Sequence, residues 1–261
     1  SGRGIVSAVT AGQTSGAGAP PPSCGEVLDL GDVALRDGSR LVLRRLAPPA
    51  PEYAERLSVL LDHKPPPVIR KIRRQLSGAY RDECVDRFFI GEIEGRLAGH
   101  LWYGYGRDGA GTANFGEVFT APEFRRRGVA DALTAAFAAD ADASPIRLAL
   151  CTAGEAATRI YARHGFRTVI PGATHGPLVR FGPRETCADF REYAEGYYTP
   201  GQPVTIRPGS MRHRHDIDCL LRFTHILRGG DTAGSLRRVG QTGASLAGRI
   251  GPAWHVANAM E

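Results

Sequence analysis

"PEFRRRGVADAL", Pro122 to Leu133, places three consecutive arginines before a glycine and opens directly into an alanine-rich helical run. Cations at a helix N-terminus oppose the dipole by about 0.3–1 kcal/mol each. Three of them there are an unfavourable local choice unless something negative compensates. A glycine in the first turn exposes backbone N–H groups at the positive end of the helix and lets an anion approach without a Cβ in the way. The stretch is therefore expected to be an anion-binding loop between a strand and a helix.

The flanking sequence supplies both elements. Upstream, "RFFIGEIEGRLAGHLWYGY" (87–105) holds two β-rich runs joined at Glu94-Gly95, a hairpin signature. "TANFGEVFT" (112–120) follows a glycine-rich turn as a third antiparallel strand. Downstream, Val129, Leu133 and Phe137 share one face of a helix over 128–140. "IRLALCT" (146–152) reads as a buried strand, and a strand-helix-strand crossover makes it parallel to its predecessor. A helix over 155–164 stops at Gly165, and "FRTVI" and "PLVRFG" add two strands ending near Pro183.

Earlier in the chain, "RLVLRRL" (40–46) reads as the first strand and 51–63 as a helix closed by the prolines at 65–67. A second helix is expected over 68–80, with apolar residues at 68, 72 and 76 and a solvated basic outer face. The fold class is α/β: a mixed sheet flanked by helices, in a domain spanning 24–183. The Pro/Gly/Ser-rich residues 1–23 are expected to be a flexible tail, and 184–261 a C-terminal extension.

The totals narrow the function. A net charge of +6 comes from arginines spread along the chain, without the lysine-rich block of a nucleic-acid tail, so a polyanionic small molecule explains the balance as well. Five cysteines without a CxxC pair suggest neither a zinc site nor a disulfide framework. His213 and His215, two apart in "MRHRHD", would point to different helix faces, so no metal site is expected and the run reads as solvated. With no apolar run near 18 residues and no signal-peptide core, a soluble cytoplasmic protein without membrane partners is expected.

Arg125, Arg126, Arg127, Gly128, Val129 and Ala130 together resemble the R/Q-x-x-G-x-G/A pyrophosphate loop of the GNAT superfamily of N-acyltransferases. "AATRIYARHGF" is similar to that family's later A-x-x-x-Y-x-x-x-G-F element through Ala157, Tyr161, Gly165 and Phe166. Where the family often carries Asn, this chain has Gly154. The resemblance covers roughly 41–182. It implies an acyl-CoA-binding fold whose sheet splays between the strands at 112–120 and 146–152. The pantetheine arm of acetyl-CoA, or of another acyl-CoA, would enter that wedge and bond to the backbone near Phe119 and Thr120.

Acyl transfer to an amine requires loss of a proton from a group whose ordinary pKa is about 10.4. The resemblance makes Glu117, three residues before Thr120 where related enzymes often carry a base, the first candidate for that role; His100 on the neighbouring strand, an imidazole that titrates near neutrality, is the second. A solvent-facing strand glutamate and a structural histidine remain the alternatives. The resemblance gives Tyr161 the part of donor to the departing thiolate. A bulge near Phe119 or Thr120 would free an amide for the developing oxyanion. No Cys-His-Asp arrangement is legible around Cys151, so direct transfer in a ternary complex is preferred to an acyl-enzyme.

The expected activity is thus N-acyl transfer, most simply acetyl transfer, to a primary amine on a small molecule or peptide. The same motifs also fit an acyl-CoA or acyl-carrier binding module without turnover, which would be indifferent to changes at Tyr161 or Glu117. Beyond Pro183, 188–203 reads as an aromatic-rich helix and linker, and "VTIRPGSMRHRHDIDCLLRF" (204–223) resembles the start of a second GNAT unit. A truncated repeat, an element exchanged within a homodimer, and a cover over the acceptor site all stay open.

Overall fold

The computed structural model describes residues 25–107, 111–197 and 210–219. The tail 1–23, the stretch 204–209 and everything past 219 lie outside the described residues. Among the described residues the strands form one sheet in the order β1-β2-β3-β4-β5-β6-β8-β7. These are β1 (Glu26–Ala34), β2 (Arg40–Ala47), β3 (Cys84–Ile93), β4 (Arg96–Gly106), β5 (Thr112–Thr120), β6 (Leu148–Ala153), β7 (Arg167–Thr168) and β8 (Gly176–Phe181). Every pairing is antiparallel except β5 with β6. The mixed sheet flanked by helices is the expected architecture.

The β3–β4 hairpin turns at Glu94-Gly95, both with positive φ (51° and 75°), as a two-residue primed turn requires. Alternation then sends neighbouring side chains to opposite faces. Val85 and Phe89 meet one helical layer; Phe88, Ile90 and Trp102 meet the other. The first layer is α3 (Val129–Ala143) with α4 (Glu155–Ala162). Val129, Leu133, Phe137 and Ala141 of α3 form its buried stripe. The second layer is α1 (Glu52–Leu60) and α2 (Pro66–Leu76), which bring Leu57, Ile72 and Leu76, with Leu61 just past α1, against the opposite face.

Four readings need correction. β1 lies N-terminal to the strand read as the first; a register shift between Asp29 and Gly31 breaks its alternation, and Val27, Leu28 and Leu30 are exposed rather than buried. The triple proline begins α2 as well as separating it from α1: Pro66 and Pro67 occupy its first turn, where a missing N–H costs nothing. That helix also ends at Leu76, short of Tyr80. Its basic face is not wholly solvated, because Lys71 turns inward to Glu117.

Past Phe181, α5 (Phe190–Tyr197) and the helical residues 211–219 pack on the same sheet. Phe190, Tyr193, Ala194 and Cys219 share a core with Leu148, Leu150 and Val179. His215, expected in a solvated run, is 2% exposed and lies against Trp102, with ring centroids 6.2 Å apart. A repeat of the fold is not seen in the described part of this segment.

Candidate active site

β5 and β6 pair only through Thr112–Asn114 and Leu148–Leu150; beyond Asn114 they part. The cause lies in β5, where the register with β4 shifts between His100 and Trp102 so that β5 carries one extra residue. Glu117 sits in that bulge with φ 53°, left-handed for a non-glycine residue. A bulge bends its strand and raises the local twist, which carries Phe115–Thr120 away from β6. The wedge is therefore built into the strand.

His100 fixes the bulge. It is fully buried, and its Nδ1 lies 2.9 Å from the Glu117 carbonyl, which only accepts, so Nδ1 carries the proton. Burial, the largest influence, pushes its pKa down to about 4. It is thus neutral near neutral pH and far too weak a base for the role considered for it, with Nε2 sealed from solvent and unpartnered among the described residues.

The Glu117 carboxylate meets Lys71 Nζ at 3.1 Å and Lys64 Nζ at 3.2 Å. Burial raises its pKa, but Lys71 and then Lys64 outweigh that and leave it below the ordinary value. Lys71 is itself held below a normal lysine, first by burial and then by the charge of Arg214. His63 stacks on Phe119 with centroids 4.2 Å apart, closing this side of the wedge. Glu117 is therefore neither solvent-facing nor alone, and the lysines and His63 around it were not picked out by sequence reasoning.

At the wide end of the wedge lies the arginine-glycine loop. Ala121 N–H donates to the Ala98 carbonyl, Pro122–Phe124 form one 3-10 turn, and Phe124 is buried. Arg126 (φ 65°) and Gly128 (φ 107°) then turn the chain into α3. Arg127 ties the loop down: its carbonyl accepts from Arg36 N–H at 3.0 Å, and its guanidinium reaches Asp37 at 2.9 Å and the Glu123 carbonyl at 2.8 Å. Arg125 donates from Nε to the Thr120 carbonyl at 3.1 Å and lies over the Phe119 ring.

With the loop held this way, no backbone N–H from Arg126 through Asp131 makes a well-formed hydrogen bond among the described residues. Six consecutive donors at the start of a 15-residue helix form a cup for an anion. A Cβ at Gly128 would stand in ordinary van der Waals contact with Arg36 and Leu35, 3.9 Å away. The unpaired donors fit a pyrophosphate.

Tyr161, on α4, meets Phe115 of β5 edge-on at 5.0 Å and Phe166 at 5.7 Å, so it closes the floor of the wedge from the α3 side. Burial, with Cys151 second, raises its pKa well above that of a free phenol. Its hydroxyl has no hydrogen-bond partner among the described residues. Cys84, Cys151, Cys187 and Cys219 are all unbridged, and no group of three or more His, Cys, Asp or Glu residues that could hold a metal occurs among the described residues. None of the described helices is long and apolar enough to cross a membrane.

Residues 85–168 match the family described as acetyltransferase (GNAT) domain. No curated protein matches the chain. Among solved structures, the chain is similar to PaiA N-acetyltransferase from Thermoplasma acidophilum in complex with coenzyme A, at 12% identity over 54% of this chain and 98% of the other, TM-score 0.39. It is similar also to diaminobutyrate acetyltransferase EctA from Paenibacillus lautus with L-2,4-diaminobutyric acid and coenzyme A (21%, 56% and 96%, TM-score 0.41). A third is the GNAT family N-acetyltransferase YhbS from Escherichia coli in complex with CoA (13%, 55% and 82%, TM-score 0.41).

Proposed function

We propose, from the match of residues 85–168 to the acetyltransferase (GNAT) domain, that the chain is an N-acyltransferase moving an acyl group, most simply acetyl, from acyl-CoA to a primary amine. The single observation carrying this reading is the run of unpaired N–H groups from Arg126 to Asp131 opening onto the gap between β5 and β6. Arg125, Arg126, Arg127, Gly128, Val129 and Ala130 would hold the pyrophosphate, and the β5 backbone at Phe119 and Thr120 the pantetheine arm. Bound acyl-CoA supplies a thioester open to attack by an amine.

The side chains divide the remaining work. Glu117, kept ionised between two lysines, is a strong anchor and a weak base; it holds the incoming ammonium and relays its proton through water. Tyr161, with its pKa raised by burial, stays protonated and donates a hydrogen bond to the departing sulfur rather than a full proton. The backbone turned by the Glu117 bulge offers an amide to the oxyanion.

Thiol release from acetyl-CoA over an amine panel tests the assignment. Tyr161→Phe is expected to lower kcat by about 10- to 100-fold, the worth of one hydrogen bond to a charged group, with the acetyl-CoA Kd unchanged, and Glu117→Gln to raise the acceptor KM as well. Acetyl-CoA binding without thiol release over the whole panel would leave a binding module as the better reading, and full activity in both variants would remove Tyr161 and Glu117 from the mechanism.

A further inference from the structure

Residues 210–219 are held against the sheet at three places. The Met211 carbonyl lies 3.2 Å from Cys84 Sγ, Gly106 lets the Arg212 carbonyl approach so closely that a Cβ would stand 2.3 Å from it, and Asn114 Nδ2 donates to Asp218 at 2.7 Å. The segment thereby sets Arg214 and His215 against Trp102, with the Arg214 guanidinium 5.7 Å from the indole ring centre. Lys71 Nζ lies 5.1 Å from the same ring centre and binds Glu117. This places the C-terminal segment beside the residues proposed to receive the amine.

The carboxylates nearby are already engaged. Asp86 accepts from Trp102 Nε1 at 2.7 Å and Gln75 Nε2 at 2.6 Å, Asp218 accepts from Asn114, and Glu117 is held by Lys64 and Lys71. Arg214 is left with only a 3.9 Å approach to Asp218, beyond hydrogen-bond reach, and its Nε is sealed from solvent without an acceptor among the described residues. His215 Nδ1 beside it is likewise sealed and unpartnered. A largely buried guanidinium without a close acceptor, sharing the Trp102 ring with a second cation, is costly as it stands. An anion brought in by a ligand would satisfy Arg214, since Lys71 already has Glu117.

We infer that the acceptor amine carries an anionic group, a carboxylate in the simplest case, and that Arg214, supplied by the C-terminal segment, binds it beside Trp102. The inference rests on the acyltransferase reading and names its substrate class. Arg214 takes the carboxylate, Lys71 adds its charge from α2, and the amine end points to Glu117. Residues 210–219 are thus a wall of the acceptor site.

Matched pairs of amines test it on the full chain: L-lysine against cadaverine, L-ornithine against putrescine, and 4-aminobutyrate against propylamine, by thiol release from acetyl-CoA. A charge-assisted hydrogen bond is worth about a factor of 10 to 100, so kcat/KM should favour the carboxylated member by at least that lower factor. Arg214→Met should erase the preference through KM while leaving acetyl-CoA affinity unchanged, which shows the fold intact, and Arg214→Lys should keep part of it. Equal use of both members by wild type, or a preference that survives Arg214→Met, overturns the inference. If no pair turns over, calorimetry on the CoA complex decides, and absence of binding by the carboxylated members overturns it too. Failure to bind acetyl-CoA at all is a separate result that defeats the acyltransferase reading and this inference with it.

Discussion

Gly128→Ala isolates the backbone geometry of the loop. Gly128 has φ 107° and ψ 4°, outside the ordinary range of an L-residue. An added Cβ would find its nearest neighbours, Arg36 Cγ and Leu35 Cδ2, at 3.9 Å, so no clash contributes and the cost is conformational. Positive φ costs a non-glycine residue about 1–3 kcal/mol. Loss of unfolded-chain entropy returns about 0.4–1 kcal/mol, which leaves a net destabilisation on the order of 1 kcal/mol. For a chain of this size that lowers Tm by about 2–4 °C.

Where the strain goes is equally specific. Arg127 ties the loop to Arg36, Asp37 and Glu123, and Phe124 anchors it in the core, so it should hold its shape and lose stability rather than relax. The expected result is a small fall in Tm by scanning calorimetry with the acetyl-CoA Kd changed by less than about tenfold. A variant with unchanged or raised Tm and no acetyl-CoA binding would refute this reasoning, because the loop would then have relaxed out of its binding shape.

Gly106→Ala drives a Cβ to within 2.3 Å of the Arg212 carbonyl; residues 210–219 should lift, seen as faster amide exchange there and a raised acceptor KM with acetyl-CoA affinity retained. His100 gives a pH dependence. Its folded pKa of about 4 lies below the unfolded 6.5, so the unfolded chain takes up the proton first. Its contribution is complete above about pH 6.5 and is lost as pH falls to about 4, a change of roughly 3 kcal/mol. Urea midpoints should therefore drop across that window and drop less in His100→Asn. His215, also held below its ordinary value by burial and by Arg214, adds in the same direction, so the comparison between the two chains is what decides.

What was legible in the sequence was local. The Glu94-Gly95 turn, the period of α3, the crossover to β6 and the glycine before α3 each follow from a few adjacent residues, and the structure places them as expected. β1 was missed because its apolar residues face solvent and the shift at Asp29 breaks the alternation. The bulge at Glu117 leaves no mark in "TANFGEVFT", since its cause is pairing with β4 and the hydrogen bond from His100. Lys71 was read as part of a solvated face, although its position three after Val68, beside Ile72, sets it at the edge of the buried stripe. Arg214 and His215 reach Trp102 over more than a hundred residues of chain, a contact that no local pattern encodes.

The most direct test of the anion cup is calorimetric titration of acetyl-CoA into the full chain and into Gly128→Asp, at physiological salt. The variant adds a negative charge at the N-terminus of α3, beside the unpaired N–H groups, where it repels the pyrophosphate. Saturable one-to-one binding by wild type that is lost in the variant is the predicted result. Wild type that binds neither acetyl-CoA nor longer acyl-CoAs, or a variant that binds as well as wild type, would contradict it.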